Sequence, residues 1–369
     1  MIINAIKKNL SLLKLLILSK WVFKFPRRKK FLIYDGTSIE NLFFLFKKKE
    51  YEIFHTRYEQ INISVLIYTI FKSGIFKIRE KYKINYFKFV KPKIILTWID
   101  ENSGFFKLKS IYPHARFISI QRAFKDNNFY DYIKNYTKKN KNFKFKADYS
   151  FVLGENDLLK YSNFISGKII SLGNIKNNNY PIKKNYKGPI NEITFISSLP
   201  VLRKNLKFQN HRNYKIFLFL KKYCEDKNIK LKLLSKHGSN FEKLYRKIYN
   251  GGKWQYLSRE NVSRTYKILN NSKFIIFDNT TLGYEALTKN IKGVCFPEKF
   301  PYKSYSKTYN HSGFFWSQKL NQKILYKKID HVINMKNKIW KKKIKDTVGK
   351  IVFYNPNNKV LKNTIKKII

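Results

Sequence analysis

The residues best placed to do chemistry lie in one segment, Phe274-Ile-Ile-Phe-Asp-Asn-Thr-Thr-Leu-Gly-Tyr-Glu285. Four apolar residues end in Asp278, and the polar turn Asn279, Thr280, Thr281 leads into a stretch that suits a helix. A strand feeding a helix in this way aims the helix's unpaired N–H groups and positive dipole end past the strand, where a phosphate is readily held. Asn279 extends the polar turn, Thr280 and Thr281 add hydroxyl donors and a helix cap, and Gly283 allows close backbone approach. Glu285, near the first turn, offers a carboxylate that can accept from both hydroxyls of a ribose. An ordinary capped helix would use many of the same residue types, although Thr281 and Tyr284 do not make a full capping box.

A diphosphate leaving from such a site needs positive charge. Lys236 and His237 follow the apolar run 229–234, and Arg203 is a weaker candidate of the same kind. Transfer to a hydroxyl also needs a base. Asp100 and Glu101 follow the apolar run 93–98, Asp35 follows the run 30–34, and each of the three could equally be a loop or cap residue. His311 could line a cleft or be structural.

These positions presuppose elements to carry them. Runs at 30–34, 51–55, 93–98, 116–120, 149–153 and 168–172 read as strands, separated by helical stretches at 39–48 and 65–86 and by a lysine- and asparagine-rich loop before residue 149. The pattern then repeats. Strands at 192–196, 229–234, 254–256, 273–277 and 293–296 alternate with helices at 214–227, 240–248, 261–270 and 281–289, and terminal helices follow at 322–335 and 336–346. Alternation of this kind predicts parallel sheets with crossover helices, an α/β class with two Rossmann-like halves and the ligand in the cleft between them. The expected division is 1–29, a basic amphipathic segment; 30–176, an acceptor domain; 177–190, a linker; 191–335, a nucleotide-sugar domain; and 336–369, a helical tail.

The chain has 369 residues, 43% of them hydrophobic and 17% aromatic, enough for two cores. Its formal net charge of +54 suits an anionic surface, but the lysines are spread along the whole chain, which disfavours nucleic acid as the substrate. Two cysteines, Cys224 and Cys295, offer neither a disulfide framework nor a metal motif, so a reducing, cytoplasmic compartment is expected and no metal site. The apolar run 10–18 is interrupted by Lys14 and is too short to span a bilayer; no signal-peptide cleavage site follows. With Lys7, Lys8, Lys20, Trp21 and the basic residues 27–30, it predicts an amphipathic helix, lying either on the inner face of the cytoplasmic membrane or on the protein's own core. P-loop, nucleophile-elbow and dinucleotide fingerprints do not occur in the sequence.

Asp278-Asn-Thr-Thr-Leu-Gly-Tyr-Glu-Ala286, followed by Lys292-Gly-Val, resembles the D-S-T-L-G-Y-E-A…G-K-K-V signature of surface-carbohydrate (lipopolysaccharide O-antigen) biosynthesis proteins, which are similar to GT-B glycosyltransferases. The likeness extends to the segments 96–102, 117–121, 172–178 and 311–316, and departs where Gln121-Arg-Ala123 stands in place of the usual Gln-Asn-Gly. It implies a GT-B-like fold, with Thr280, Thr281 and Gly283 on phosphate and Glu285 on ribose. No cofactor or metal is implied; a nucleotide-sugar is the cosubstrate and a surface glycan or lipid-linked molecule the acceptor. Two other readings stay open: a nucleotide-sugar epimerase or CDP-polyol phosphotransferase on the same fold, and a non-enzymatic basic binder of nucleic acid or membranes.

Overall fold

A computed structural model describes residues 17–74, 78–125, 127–140, 145–181, 188–201, 208–278, 280–298 and 311–369. The apolar quartets at 31–34, 94–97 and 274–277 have no polar edge to show water. They are at home only in a sheet covered on both faces, and all twelve of their residues are buried.

In chain order the strands are β1 (Lys20–Val22), β2 (Phe31–Tyr34), β3 (Tyr51–Phe54), β4 (Gln60–Asn62), β5 (Ile94–Thr97), β6 (Arg116–Ile120), β7 (Phe145–Val152), β8 (Ile165–Ser171), β9 (Glu192–Ile196), β10 (Lys230–Leu234), β11 (Trp254–Leu257), β12 (Phe274–Phe277) and β13 (Lys292–Cys295). The first half forms a six-stranded sheet in the order β3-β2-β5-β6-β7-β8, and the second a five-stranded sheet in the order β11-β10-β9-β12-β13. Every pairing within both sheets is parallel, so each sheet gathers its strands' carboxyl ends along one edge. β1 and β4 pair separately.

The α-helices are α1 (Ile63–Ser73), α2 (Ile78–Val90), α3 (Ser103–Ile111), α4 (Asn127–Lys139), α5 (Glu155–Ser162), α6 (Ile175–Asn178), α7 (Arg212–Asp226), α8 (Glu242–Ile248), α9 (Val262–Asn271), α10 (Thr281–Thr288), α11 (Gln322–Asn334), α12 (Asn337–Ile351) and α13 (Lys359–Ile368). The tail returns to the first half. Leu361 and Ile365 of α13 are buried in the core beneath β2 and β5, at roughly 1.5–3 kcal/mol for each such side chain. The return path runs close against β8: a Cβ on Gly173, whose φ is +81°, would lie 1.8 Å from the Phe353 carbonyl oxygen. Only glycine fits there.

Four expectations need correction. The stretch 39–48 is not a helix but a short 3-10 turn, Ile39–Leu42, entered through a left-handed Ser38. The aromatics that follow are spent on packing instead, with Phe46 against Phe31 at 4.3 Å between ring centroids. The lysine-rich loop before residue 149 contains α4, whose Tyr130 and Ile133 are buried at helical spacing beneath a basic face. Residues 20–22 are a strand, not part of an amphipathic helix; residues 1–16 lie outside the described residues. The stretch 177–190 is not uniformly a linker, since Asn177 and Asn178 end α6 and are buried. No helix of the described residues is long and apolar enough to cross a membrane.

Candidate functional site

Ser197 and Ser198 follow β9, Ser235, Lys236 and His237 follow β10, Ser258 and Arg259 follow β11, and Asp278 follows β12. All therefore meet at the carboxyl edge of the second sheet, where parallel α/β sheets collect ligands. Asp278 braces this edge. Its carboxylate accepts from Ser198 Oγ at 2.8 Å and from Asn213 Nδ2, while Asn213 Oδ1 accepts from Ser198 N at 2.8 Å. Neutral donors on two elements thus hold the β9 loop against β12.

The start of α10 has the character expected of it. Thr280 is the N-cap in extended conformation, and its side chain makes no capping hydrogen bond. Among the described residues no side chain caps the first turn, whose Gly283 N donates to the Thr280 carbonyl at 3.0 Å, and the N-cap is Thr280 and not Thr281. Asn279 lies outside the described residues. Gly283 has a different task from the one its sequence context suggested: a Cβ there would sit 2.3 Å from the Phe277 ring, so the glycine lets α10 pack on β12 rather than admitting a ligand.

Glu285 is inside the protein. Its Oε1 accepts from Asn174 Nδ2 at 2.8 Å and its Oε2 from the Tyr266 hydroxyl. Asn174 follows β8 in the other half, and its Nδ2 also reaches the Arg122 carbonyl at 3.2 Å. The carboxylate expected on a ribose therefore ties the two halves together here. Burial pushes its pKa up, against the opposing pull of Tyr266, Lys176, Lys289 and Asn174. Lys289 is buried within about one turn of Glu285, with Tyr180, Tyr266 and Tyr354 rings at 5.4, 5.4 and 5.7 Å, and burial pushes its amine down to about 8.

Arg259 was missed by sequence reasoning. Its Nε is buried without a hydrogen-bond partner, its Nη2 reaches only the Ser197 carbonyl at 3.5 Å, and no ion pair with a carboxylate forms among the described residues. Burial pushes its guanidinium down to about 10, with partial relief from the nearby Tyr245 and Tyr266 and from the Glu285 and Asp278 carboxylates. A half-buried guanidinium with its inner nitrogen unpaired is costly unless an anion completes it. The usable signal was its place just past a strand. The positions first favoured for this role fit less well: Lys236 is exposed, and burial holds the His237 imidazole below its usual pKa, in its neutral form near pH 7.

The carboxylates of the first half separate clearly. Asp100 is fully buried, its Oδ1 2.6 Å from Lys125 Nζ and its Oδ2 accepting from the Tyr161 hydroxyl. Asp35 is 2% exposed. It accepts from Thr37 N at 3.0 Å and Thr56 Oγ1 at 2.7 Å and lies 3.5 Å from Arg57 Nε. Burial would raise the Asp35 pKa, but these hydrogen bonds and Arg57 outweigh it and hold the carboxyl low. Both aspartates are thus poor proton acceptors, Asp100 for want of access and Asp35 for want of basicity. Glu101 differs. Its side chain is 49% exposed, 3.4 Å from Lys125 Nζ and 4.0 Å from Arg122 Nη2. Through Arg122 and Asn174 it belongs to the same edge-to-edge seam as Glu285. Phe124 closes that seam against Tyr284 of α10, ring centroids 5.6 Å apart. His311 stands away from it, paired with Gln318 beside a surface pocket that includes Lys319, Lys328 and His331. Arg203 lies outside the described residues.

Comparisons with known proteins bear on this arrangement. Residues 118–369 match the sequence profile of a family described as "putative O-antigen biosynthesis protein". No curated protein matches the sequence. Among solved structures, UDP-GlcNAc 2-epimerase of Neisseria meningitidis bound to UDP-GlcNAc is similar at 11% identity, over 91% of this chain and 99% of that one, with a TM-score of 0.56. Staphylococcus aureus MnaA, solved with UDP, is similar at 14% identity over 92% and 98%, TM-score 0.55. MurG of Acinetobacter baumannii is similar at 10% identity over 93% and 100%, TM-score 0.52. The shared architecture is the GT-B fold, two Rossmann-like halves facing each other across a cleft.

Proposed function

Because the chain belongs to this O-antigen biosynthesis family, we propose that it is a glycosyltransferase moving a sugar from a nucleotide-sugar to a surface glycan or a lipid-linked acceptor. The observation that carries the reading is Arg259, a half-buried guanidinium whose buried Nε has no partner among the described residues, at the strand edge that also receives the start of α10. A nucleoside diphosphate supplies the missing anion. Its phosphates meet Arg259, the first N–H groups of α10 and the Thr280 hydroxyl. Its ribose hydroxyls take over Glu285, replacing the Asn174 amide as donors.

Glu101 accepts the proton of the acceptor hydroxyl, the freed oxygen bonds to the anomeric carbon, and the carbon–oxygen bond to the diphosphate breaks. The negative charge that collects on the leaving phosphate falls on Arg259 and the helix end, charge placed before the reaction begins. This account requires no metal.

Nucleotide-sugar epimerisation is the second reading, favoured by the whole-length likeness to a UDP-GlcNAc 2-epimerase whose structure holds UDP-GlcNAc. Incubation with UDP-, GDP-, CDP-, CMP- and dTDP-sugars, with and without glycan or lipid-linked acceptors, separates the two by product mass. Transfer releases the nucleotide only when an acceptor is present. A changed sugar still attached to its nucleotide, formed without acceptor, would establish epimerisation instead.

A further inference from the structure

The large exposed apolar side chains are not scattered evenly. Trp21, Phe23 and Phe25 on and after β1 are 52%, 66% and 49% exposed, and Ile67, Ile70 and Phe71 of α1 are 48%, 38% and 87% exposed. Local structure joins the two groups into one surface. β1 runs parallel to β4, the strand that leads directly into α1. The Ser64 hydroxyl donates to the Phe23 carbonyl. Phe25 and Tyr68 both pack on Phe89 of α2, at centroid distances of 4.6 and 5.0 Å. Ile67, Ile70 and Phe71 have the i, i+3, i+4 spacing of a single helix face.

Charge surrounds this surface unequally. Lys20, Lys24, Arg27 and Arg28 are exposed on one side, and Lys72 and Arg79 on the other, against only Glu59 and Glu80. We propose that this face of β1 and α1 docks on the surface of an anionic lipid bilayer, its aromatic and aliphatic side chains entering the headgroup boundary and its basic rim pairing with lipid phosphates.

Three considerations select that occupant. A second copy of the chain would bring another +54 charges against the same basic rim. A polynucleotide would engage the bases and aromatics but would leave Ile67 and Ile70 in water. A bilayer interface takes both kinds of side chain at once. α1 has only 11 residues and suits lying in the interface, not crossing it. α2, on which Phe25 and Tyr68 pack, also contacts the last residue of β2, its Lys83 Nζ lying 3.3 Å from the Tyr34 hydroxyl. The docking itself does not depend on which group is transferred.

Trp21 makes the test direct, because the other four tryptophans, Trp98, Trp254, Trp316 and Trp340, are at most 9% exposed. The full chain is titrated with phosphatidylcholine vesicles and with phosphatidylcholine–phosphatidylglycerol vesicles, read by flotation and by tryptophan emission. The expected result is a blue shift and partitioning at least about tenfold stronger into the anionic vesicles, weakened by salt. The pair Ile67→Ser and Phe71→Ser should lower partitioning about tenfold or more. Leu159→Ser, at an exposed apolar position on α5, should not, and circular dichroism checks that each variant is folded. Equal partitioning into both vesicles, no emission shift, or indifference to the Ile67 and Phe71 substitutions would overturn the proposal. So would RNA binding that competes with vesicles while the apolar substitutions have no effect.

Discussion

Replacing Arg259 with methionine should move stability and ligand binding in opposite directions. In the free protein Arg259 is half-buried, its buried Nε lacks a partner among the described residues, and desolvation pushes its pKa down to about 10. At about 1.4 kcal/mol per factor of ten, that depression corresponds to roughly 3 kcal/mol of unfavourable charge burial. Methionine keeps the length of the side chain and removes the charge. Urea unfolding of the free variant should therefore show a gain, with about 3 kcal/mol as its upper bound because partial solvation relieves some of the penalty. Binding should suffer instead. Charge-assisted hydrogen bonds contribute about 1.5–3 kcal/mol each, so losing a paired contact to phosphate predicts a nucleoside diphosphate affinity lower by roughly 100-fold or more. Calorimetric titration measures this, and the parent nucleoside, without phosphate, should bind both proteins alike. A variant that is less stable than the wild type and binds nucleotide as tightly would refute the reasoning, because Arg259 would then be a structural pillar.

Other consequences follow from the same geometry. Glu101→Gln should lower turnover by at least about 100-fold while leaving nucleotide affinity unchanged, whereas Asp100→Asn should destabilise the fold by about 3–5 kcal/mol in denaturant, since it breaks the buried pair with Lys125. Asn174→Ala removes the 2.8 Å donor to Glu285 and should cost about 1–3 kcal/mol of stability; in titration it should bind nucleotide no more weakly than the wild type, because the ribose replaces that donor. Gly283→Ala forces a methyl into the Phe277 ring and should lower stability by about 1–3 kcal/mol, with partial recovery in the Phe277→Leu background, as followed by thermal unfolding. The pH dependence of binding has a defined sign. Glu285 accepts from both ribose hydroxyls only when ionised, and burial raises its pKa, so affinity should fall as pH drops through that raised value. Lys289→Met removes a charge that opposes the rise, so its loss of affinity should begin at higher pH than in the wild type.

The twin-sheet arrangement was legible because fully buried parallel strands leave an unmistakable trace, as at 274–277 and 94–97. The start of α10 was legible for a related reason: strand, polar turn and helix are contiguous in the chain. What sequence could not reveal depended on contacts between distant residues. Glu285 and Asn174 are 111 positions apart, so nothing local announced that the ribose-binding candidate also holds the halves together. Asp100 and Glu101 are adjacent and chemically similar, yet only the fold points one at Lys125 and Tyr161 and leaves the other half exposed. Arg259 was hidden among 77 lysines and arginines, and its buried Nε left without a partner among the described residues, not its type, distinguishes it. α4 was obscured because lysines and asparagines on its outer face masked the apolar spacing of Tyr130 and Ile133.

The central claim is that a nucleoside diphosphate occupies the strand edge between Arg259 and the start of α10. Calorimetric titration of the wild-type chain with UDP, GDP, CDP and dTDP, each beside its monophosphate and nucleoside, tests it most directly. The account predicts that one base is preferred and that its diphosphate binds at least about tenfold tighter than its monophosphate, the difference of one charge-assisted contact. Equal affinity for diphosphate, monophosphate and nucleoside, or no binding by any member of the series, would contradict it.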